Sequence, residues 1–225
     1  MNCHYSEKIF NLKPEIIKQT IKDCNKKFVI GITGASASGK SIFANKLQKI
    51  LGQKCLLISQ DNFYKNPPKN IDIKEYNFDD PKAINYDSIQ KYIKDILVKG
   101  NAYEPIYSFE EHKTIGTRQV NFNGKFIIEE GIFSMNDKKL TDLMDLRIFI
   151  DTGLDICLAR RIQRDTKERG RNLDSILTQY NKFVRPGYFN FIASRKNICD
   201  IVVPNEAKEQ YQRALNIVGN YLNKI

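Results

Sequence analysis

A run of apolar, mostly β-branched residues, Phe28-Val-Ile-Gly-Ile-Thr, leads directly into Gly34-Ala-Ser-Ala-Ser-Gly39-Lys40-Ser41. The spacing G-x-x-x-x-G-K-S, with a strand before it and a helix after it, is that of a phosphate-binding loop. Few features constrain a fold more, because the loop works only when strand, turn and helix follow in that order. Small residues at Gly34, Ala35, Ser36, Ala37, Ser38 and Gly39 let successive backbone N–H groups curl around phosphate oxygens. The helix that follows points its positive end at the same anion. Lys40 is placed to reach the β- and γ-phosphates, and the Ser41 hydroxyl to hold Mg²⁺.

Further along, short apolar runs at Phe28–Ile32, Cys55–Ser59, Phe126–Ile128, Arg147–Ile150 and Asp200–Val203 read as buried strands. Helical patterns separate them. Ser41–Leu51 carries Ile42, Phe43, Leu47 and Ile50 on one face. Asp87–Val98, capped by Asp87, carries Ile89, Ile93, Ile96 and Leu97. Leu154–Thr166, Asp174–Phe183 and Lys208–Leu222 follow. Strands alternating with helices predict a parallel α/β sheet. Two stretches break the alternation. Residues 1–25 form an N-terminal extension, with Pro14–Lys22 as a helix packing Ile17 and Ile21 on the body. Residues 101–123 read as an inserted β-hairpin with arms Tyr103–Phe109 and Thr117–Phe122, a candidate substrate-binding flap.

A chain of 225 residues, 41% hydrophobic and 28% charged, fits one soluble domain, here 26–225. No apolar run approaches the about 20 residues needed to span a membrane. Met1–Lys13 has no secretory h-region, so the cytoplasm is the expected location. Five cysteines, at 3, 24, 55, 157 and 199, lack C-x-x-C spacing and have only His4 and His112 as metal partners. That argues against a zinc site or disulfides. Cys55, Cys157 and Cys199 read as core residues. The net charge of +10 suits nucleic acid, but no RNA-binding module accompanies it. One basic cluster stands apart: Arg160, Arg161, Arg164, Lys167, Arg169 and Arg171, on and just after a helix broken at Gly170. Arg161 and Arg164 share a face. Residues 160–171 fit an arginine-rich lid that neutralises a transferring phosphoryl group and shuts out water. Arg160 and Lys167 read as solvated.

In an open α/β sheet, ligands bind beyond the carboxyl ends of the strands. Asp61, Glu130 and Asp151 fall at or near such ends. Phosphoryl transfer needs a metal ligand and a group that accepts the attacking hydroxyl's proton. Asp61 and Glu130 suit those two roles, and Asp151 suits a cap on the helix that follows.

From about Phe28 to Pro204 the chain resembles uridine kinases (uridine–cytidine kinases), within the wider phosphoribulokinase/uridine kinase group. The carriers are GITGASASGKS, SQDNFYK, NFDDPKAINYD, PIYSFEEHKT, EEGIF and FIDTGLDICLARRIQRDTKERGRNLDSILTQYNKFVRPGY. The resemblance implies an α/β P-loop kinase fold, a five-stranded parallel sheet flanked by helices, with the hairpin over the acceptor site. It implies transfer of phosphate from ATP, with Mg²⁺, to the 5′-hydroxyl of uridine and cytidine. Asp61 matches the general base, and Tyr64 lines the pocket. Phe78 and Asp79 match a pair whose aspartate grips the ribose hydroxyls. Tyr107, Phe109 and His112 match the hairpin residues that enclose and read the pyrimidine. Arg161, Arg171 and Gln179 match further nucleoside contacts. Arg164 and Arg169 match lid arginines facing the ATP phosphates, and Glu130 matches the acidic residue near Mg²⁺. The same resemblance implies a homo-oligomer, usually a tetramer.

Three departures from the family pattern stand out. Asp80 stands beside Asp79 where histidine is usual, and two adjacent carboxylates raise one pKa. Glu129 stands where an apolar residue is usual. Strand neighbours face opposite sides, so Glu129 points into sheet–helix packing and needs a partner such as arginine or lysine. Asn205-Glu206 replace Arg-Gly near the adenine site, leaving both ATP and GTP open as donors. The rival reading is a related P-loop kinase for a sugar phosphate or pantothenate. A GTPase switch is disfavoured, because neither [NT]-K-x-D nor D-x-x-G occurs.

Overall fold

The computed structural model describes residues 26–224. The helix expected at Pro14–Lys22, with Cys3, His4 and Cys24, lies outside the described residues. The strands are β1 (Phe28–Gly34), β2 (Cys55–Ser59), β3 (Asn101–Ser108), β4 (Lys113–Asn121), β5 (Phe126–Glu130), β6 (Leu146–Asp151) and β7 (Ile201–Pro204). Five of them form a parallel sheet in the order β2-β5-β1-β6-β7. Each lies within two residues of its expected bounds. Being parallel, all five present their carboxyl ends along one edge of the sheet.

The helices are α1 (Lys40–Leu51), α2 (Tyr86–Lys99), α3 (Leu154–Arg169), α4 (Leu173–Gln179) and α5 (Lys208–Leu222). β1 is buried along its whole length, as a strand covered on both faces must be. Its alternate side chains feed two cores. Phe28, Ile30 and Ile32 pack with Phe43 and Leu47 of α1 and with Leu215 and Val218 of α5. Val29 joins Ile58, Ile127 and Phe149 against Ile89, Ile93 and Ile96 of α2.

Local details differ from the sequence pattern. On α1 the buried stripe is Phe43, Ala44, Leu47 and Leu51, while Ile42 and Ile50 are exposed. With Phe43 and Ala44 both in the core, the buried stripe is turned away from Ile42 and Ile50. α2 is capped by Asn85, whose side-chain oxygen accepts the Ser88 N–H at 3.2 Å, and not by Asp87. Asp87 sits in the first turn, where its charge suits the helix's positive end. The helix expected over 174–183 divides: α4 stops at Gln179, and wider π-type turns follow at Tyr180–Val184 and Tyr188–Ile192.

β3 and β4 form the inserted antiparallel hairpin, with an irregularity between Ile106 and Tyr107. Its buried side chains pack into the second core, and two hydrogen bonds add to this. Asn62 donates to the buried Glu104 at 3.1 Å, and the Thr114 N–H donates to Asn66 at 2.9 Å. Arg118 neutralises Glu104 through a hydrogen bond of 2.6 Å.

Candidate active site

The phosphate loop spans the gap between β1 and α1. Gly39 holds φ +96°, and Ala37 holds φ +63°. A Cβ on Gly39 would run into the Asn205 side chain, so glycine is required there on two counts. The Ser38 N–H closes the loop onto the Ala35 carbonyl at 3.0 Å. The Ser38 carbonyl is in turn held by the Thr152 hydroxyl at 3.0 Å and the Asn205 side-chain amide at 2.6 Å. Asn205 is itself fixed, its N–H on the Asp151 carbonyl at 2.8 Å and its carbonyl on Arg160 at 3.1 Å. Asn205 is therefore a clamp on the loop. Arg160, expected to be solvated, belongs to that clamp. Asp151 does not cap α3: its carboxylate pairs with Lys196 at 2.5 Å, and Gly153 occupies the cap position. The lysine offers a full charge, which outcompetes the partial charge of a helix end.

Two carboxylates stand beside the loop. β2 runs into the tight turn Gln60–Phe63, which carries Asp61. β5 ends on Glu130, in register with Ile32 and Ser59. Glu130 accepts the Ser41 hydroxyl at 3.1 Å and the Ser59 hydroxyl at 3.5 Å. Burial pushes the Glu130 carboxyl above its usual range, Lys40 pulls it back, and Asp61 adds to the rise. Asp79 is also buried and raised, first by desolvation; Arg161 opposes the rise and Asp61 adds to it. Asp61 thus acts on both Glu130 and Asp79, opposed at the first by Lys40 and at the second by Arg161. Ser41 and Glu130 are hard oxygen donors in contact, a set that fits Mg²⁺, which takes few protein ligands and fills the rest with water and phosphate. Among the described residues, no group of three His, Cys, Asp or Glu could hold a metal alone.

Beside Asp61 the aromatic residues converge. Tyr64 lies edge-on to Phe78 at 5.7 Å between ring centres, and Tyr107 and Phe109 lie 5.7 and 6.4 Å from it. His112 stacks on Phe78 at 5.3 Å. It adopts φ +50° at the hairpin tip, a conformation uncommon outside glycine. Burial lowers its pKa, which favours the neutral ring. Tyr107 is buried, whereas Phe109 is 49% exposed and so is not a hairpin core residue. Asp80 does not crowd Asp79: its side chain accepts the Lys82 N–H at 2.8 Å and caps the turn Pro81–Ala83.

The arginines close the other side. Arg161 is buried and donates to Ser36 of the loop at 2.7 Å and to Gln179 at 2.9 Å. Arg171 donates to the same Gln179 oxygen at 2.5 Å. The Arg169 guanidinium sits 5.5 Å from the Phe109 ring centre, linking lid to hairpin. Arg164 donates to Asp165 at 2.8 Å. α3 ends at Gly170, with φ +62°, as the sequence indicates.

Glu129 is wholly buried, and among the described residues no arginine or lysine pairs with it. Gln60 donates to one oxygen at 3.4 Å and the nearby Ser134 also eases the charge, but the other oxygen has no hydrogen-bond partner among the described residues. Desolvation pushes its pKa up to about 8. A buried carboxylate without a cation keeps its proton rather than its charge. Burial likewise pushes the thiols of Cys55, Cys157 and Cys199 up, to about 12, 11 and 12, so all three are inert, with Cys199 only partly buried. Asp165 and Glu168 are legible in the sequence as partners of the basic cluster, Asp165 standing four residues after Arg161. Sequence reasoning missed Thr152, Gln60 and the Asn62–Glu104 tether.

A phosphate loop on the central strand, oxygen donors beside it and an arginine-lined helix across it define a P-loop kinase. The chain belongs to the phosphoribulokinase/uridine kinase family, whose sequence profile matches residues 29–211. It is 40% identical over 195 residues to uridine-cytidine kinase A of Dictyostelium discoideum, covering 86% of this chain and 39% of that one. It is 37% identical over 213 residues to the uridine kinase of Vibrio parahaemolyticus, covering 91% and 99%. The chain therefore spans about two fifths of the first relative and nearly all of the second. The phosphoribulokinase of Rhodobacter spheroides shares the fold, with a TM-score of 0.59 over 83% of this chain and 74% of that one, at 15% identity.

Proposed function

We propose that this chain transfers the γ-phosphoryl group of ATP to the 5′-hydroxyl of uridine and cytidine, forming UMP and CMP for pyrimidine salvage in the cytoplasm. One observation carries the reading: Asp61 acts at once on Glu130 beside the phosphate loop and on the buried Asp79 and on Tyr64 of an aromatic cluster. A flat base needs the aromatic faces, and a pair of ribose hydroxyls needs the buried aspartate. The names of the relatives support the same substrates.

In this reading Gly34–Ser41 cradle the phosphates, and Lys40 reaches the β- and γ-oxygens. Ser41 and Glu130, with Asp61 adjoining, hold Mg²⁺, which when bound neutralises phosphate charge. Asp61 orients the 5′-hydroxyl and accepts its proton. Asp79 accepts from the two ribose hydroxyls. Tyr64, Phe78, Tyr107 and Phe109 enclose the base, and neutral His112 hydrogen-bonds its edge. Arg161, Arg171 and Gln179 form one wall of the acceptor site. Arg164 and Arg169 meet the charge that develops on the transferring group. Residues 26–225 act as one kinase domain, with 101–123 as the flap and 160–171 as the lid. ATP is the proposed donor, with GTP as the alternative, and a homo-oligomer the proposed assembly.

The test is phosphate transfer by purified protein to uridine, cytidine, adenosine, ribulose 5-phosphate and pantothenate. Transfer to the two pyrimidine nucleosides is expected. Transfer only to a sugar phosphate or pantothenate would establish the rival reading.

A further inference from the structure

Four lid arginines converge on one carboxylate. Asp165 of α3 is fully buried, and its carboxylate stands 2.8 Å from Arg164, 3.5 Å from Arg161, 3.7 Å from Arg169 and 3.8 Å from Arg171. Its backbone carbonyl is used as well, accepting the N–H of Gly170 and, at 3.1 Å, that of Arg171. The N–H groups just past the helix thus close on the Asp165 carbonyl, and the chain folds back to bring Arg171 to its carboxylate. The contacts are mostly Coulombic. Arg164 hydrogen-bonds the carboxylate, but Asp165 Oδ2 and Arg161 Nε are buried with no hydrogen-bond partner.

One buried carboxylate among four cations does not neutralise them, even with Asp79 also acting on Arg161 and Arg171. It gathers them. Two of the four extend from this point to the substrate-facing elements: Arg161 to Ser36 of the phosphate loop at 2.7 Å, and Arg169 to the Phe109 ring of the hairpin at 5.5 Å. Without the carboxylate, the guanidiniums repel one another at close range in a low-dielectric setting.

We propose that Asp165 is the positioning residue of the arginine lid. It converges Arg164 and Arg169 on the transferring phosphoryl group while it keeps Arg161 on the phosphate loop. The inference rests on the kinase reading above. Asp165 touches no substrate in it and acts only through the arginines. Neutralising Asp165 removes order and adds one net positive charge, so ATP binding and turnover separate. Binding persists or tightens, while turnover falls.

A double-mutant cycle tests this. Asp165→Asn is expected to lower kcat for uridine about tenfold or more, with the Kd for ATP within about threefold of wild type or tighter. In an Arg164→Ala/Arg169→Ala background the same substitution is expected to change kcat less than about twofold, because its route is already gone. An equal loss in both backgrounds, or no loss in the first, overturns the proposal. Should Asp165→Asn lack a cooperative melt, Asp165→Glu takes its place in the cycle, and an equal loss in both backgrounds again overturns it. Limited trypsin cleavage after Arg164 to Arg171 supplies a readout without turnover: cleavage faster than wild type is expected, and an unchanged rate counts against the proposal. Wild-type protein that phosphorylates none of the acceptors defeats the kinase reading alone, and the trypsin comparison still judges Asp165.

Discussion

Replacing Glu129 by glutamine is expected to flatten the pH dependence of stability. The carboxyl is wholly buried, and its pKa stands at about 8 against 4.5 for the free group. A carboxyl raised in the folded state binds its proton more tightly there than in the unfolded chain. Its contribution is complete below about pH 4.5 and is lost as pH rises toward about 8. A tenfold change in proton affinity is worth about 1.4 kcal/mol, so the wild type loses roughly 4 kcal/mol from this group across the window. For a chain of this size that corresponds to a fall in Tm on the order of 10 °C. Glutamine keeps the shape, accepts the Gln60 amide and cannot ionise. Thermal melts of both proteins at pH 5.5, 6.5, 7.5 and 8.0 isolate the effect, since every other group titrates in both. Curves converging at acid pH, with the variant the more stable at pH 8, are expected. Parallel curves across the range would refute the claim that Glu129 is buried without a cation.

Asp79→Ala is expected to raise KM for uridine at least tenfold and KM for ATP little, because the ribose hydroxyls lose their buried acceptor; initial-rate kinetics with each substrate varied will show it, and equal changes would move Asp79 out of the acceptor site. Burial raises the Asp79 pKa, so uridine KM in the wild type is expected to climb on acidification before an ordinary aspartate would protonate, and Asp79→Asn is expected to abolish that climb. Asn205→Ala removes the amide held on the Ser38 carbonyl and is expected to raise KM for ATP severalfold with KM for uridine unchanged, measured the same way.

Much of this fold is legible in the chain because its strands are buried on both faces and read as plain apolar runs. Cys55–Ser59 has identical bounds in sequence and structure. α5 matches as well, because its apolar spacing and its ends agree. α1 shows where periodicity misleads: Ile42 and Phe43 are adjacent and equally apolar, and only packing around Ala44 decides which faces in. Caps show a second limit, since Asn85 and Asp87 are both good cap residues and the backbone chooses between them. Within the site, residues carried by contiguous motifs were foreseeable, including Asp61, Asp79, Glu130 and the hairpin aromatics. The partners of those residues were not. Gln60 under Glu129, Thr152 and Asn205 on Ser38, and Glu104 on Asn62 join elements far apart in sequence, and no local spacing encodes them. The expectation that Glu129 must find a cation failed for a related reason. Protonation is a cheaper answer to burial than a charge partner, and sequence does not reveal which answer a site adopts.

The most direct test of the account is the rate of γ-phosphate transfer from ATP to uridine by the wild type and Asp61→Asn side by side, with ATP binding measured in both. The account predicts UMP formation by the wild type, and ATP binding retained in the variant with turnover reduced by a factor on the order of a hundred or more. A variant that turns over uridine at nearly the wild-type rate would contradict it, as would a wild type that forms no UMP.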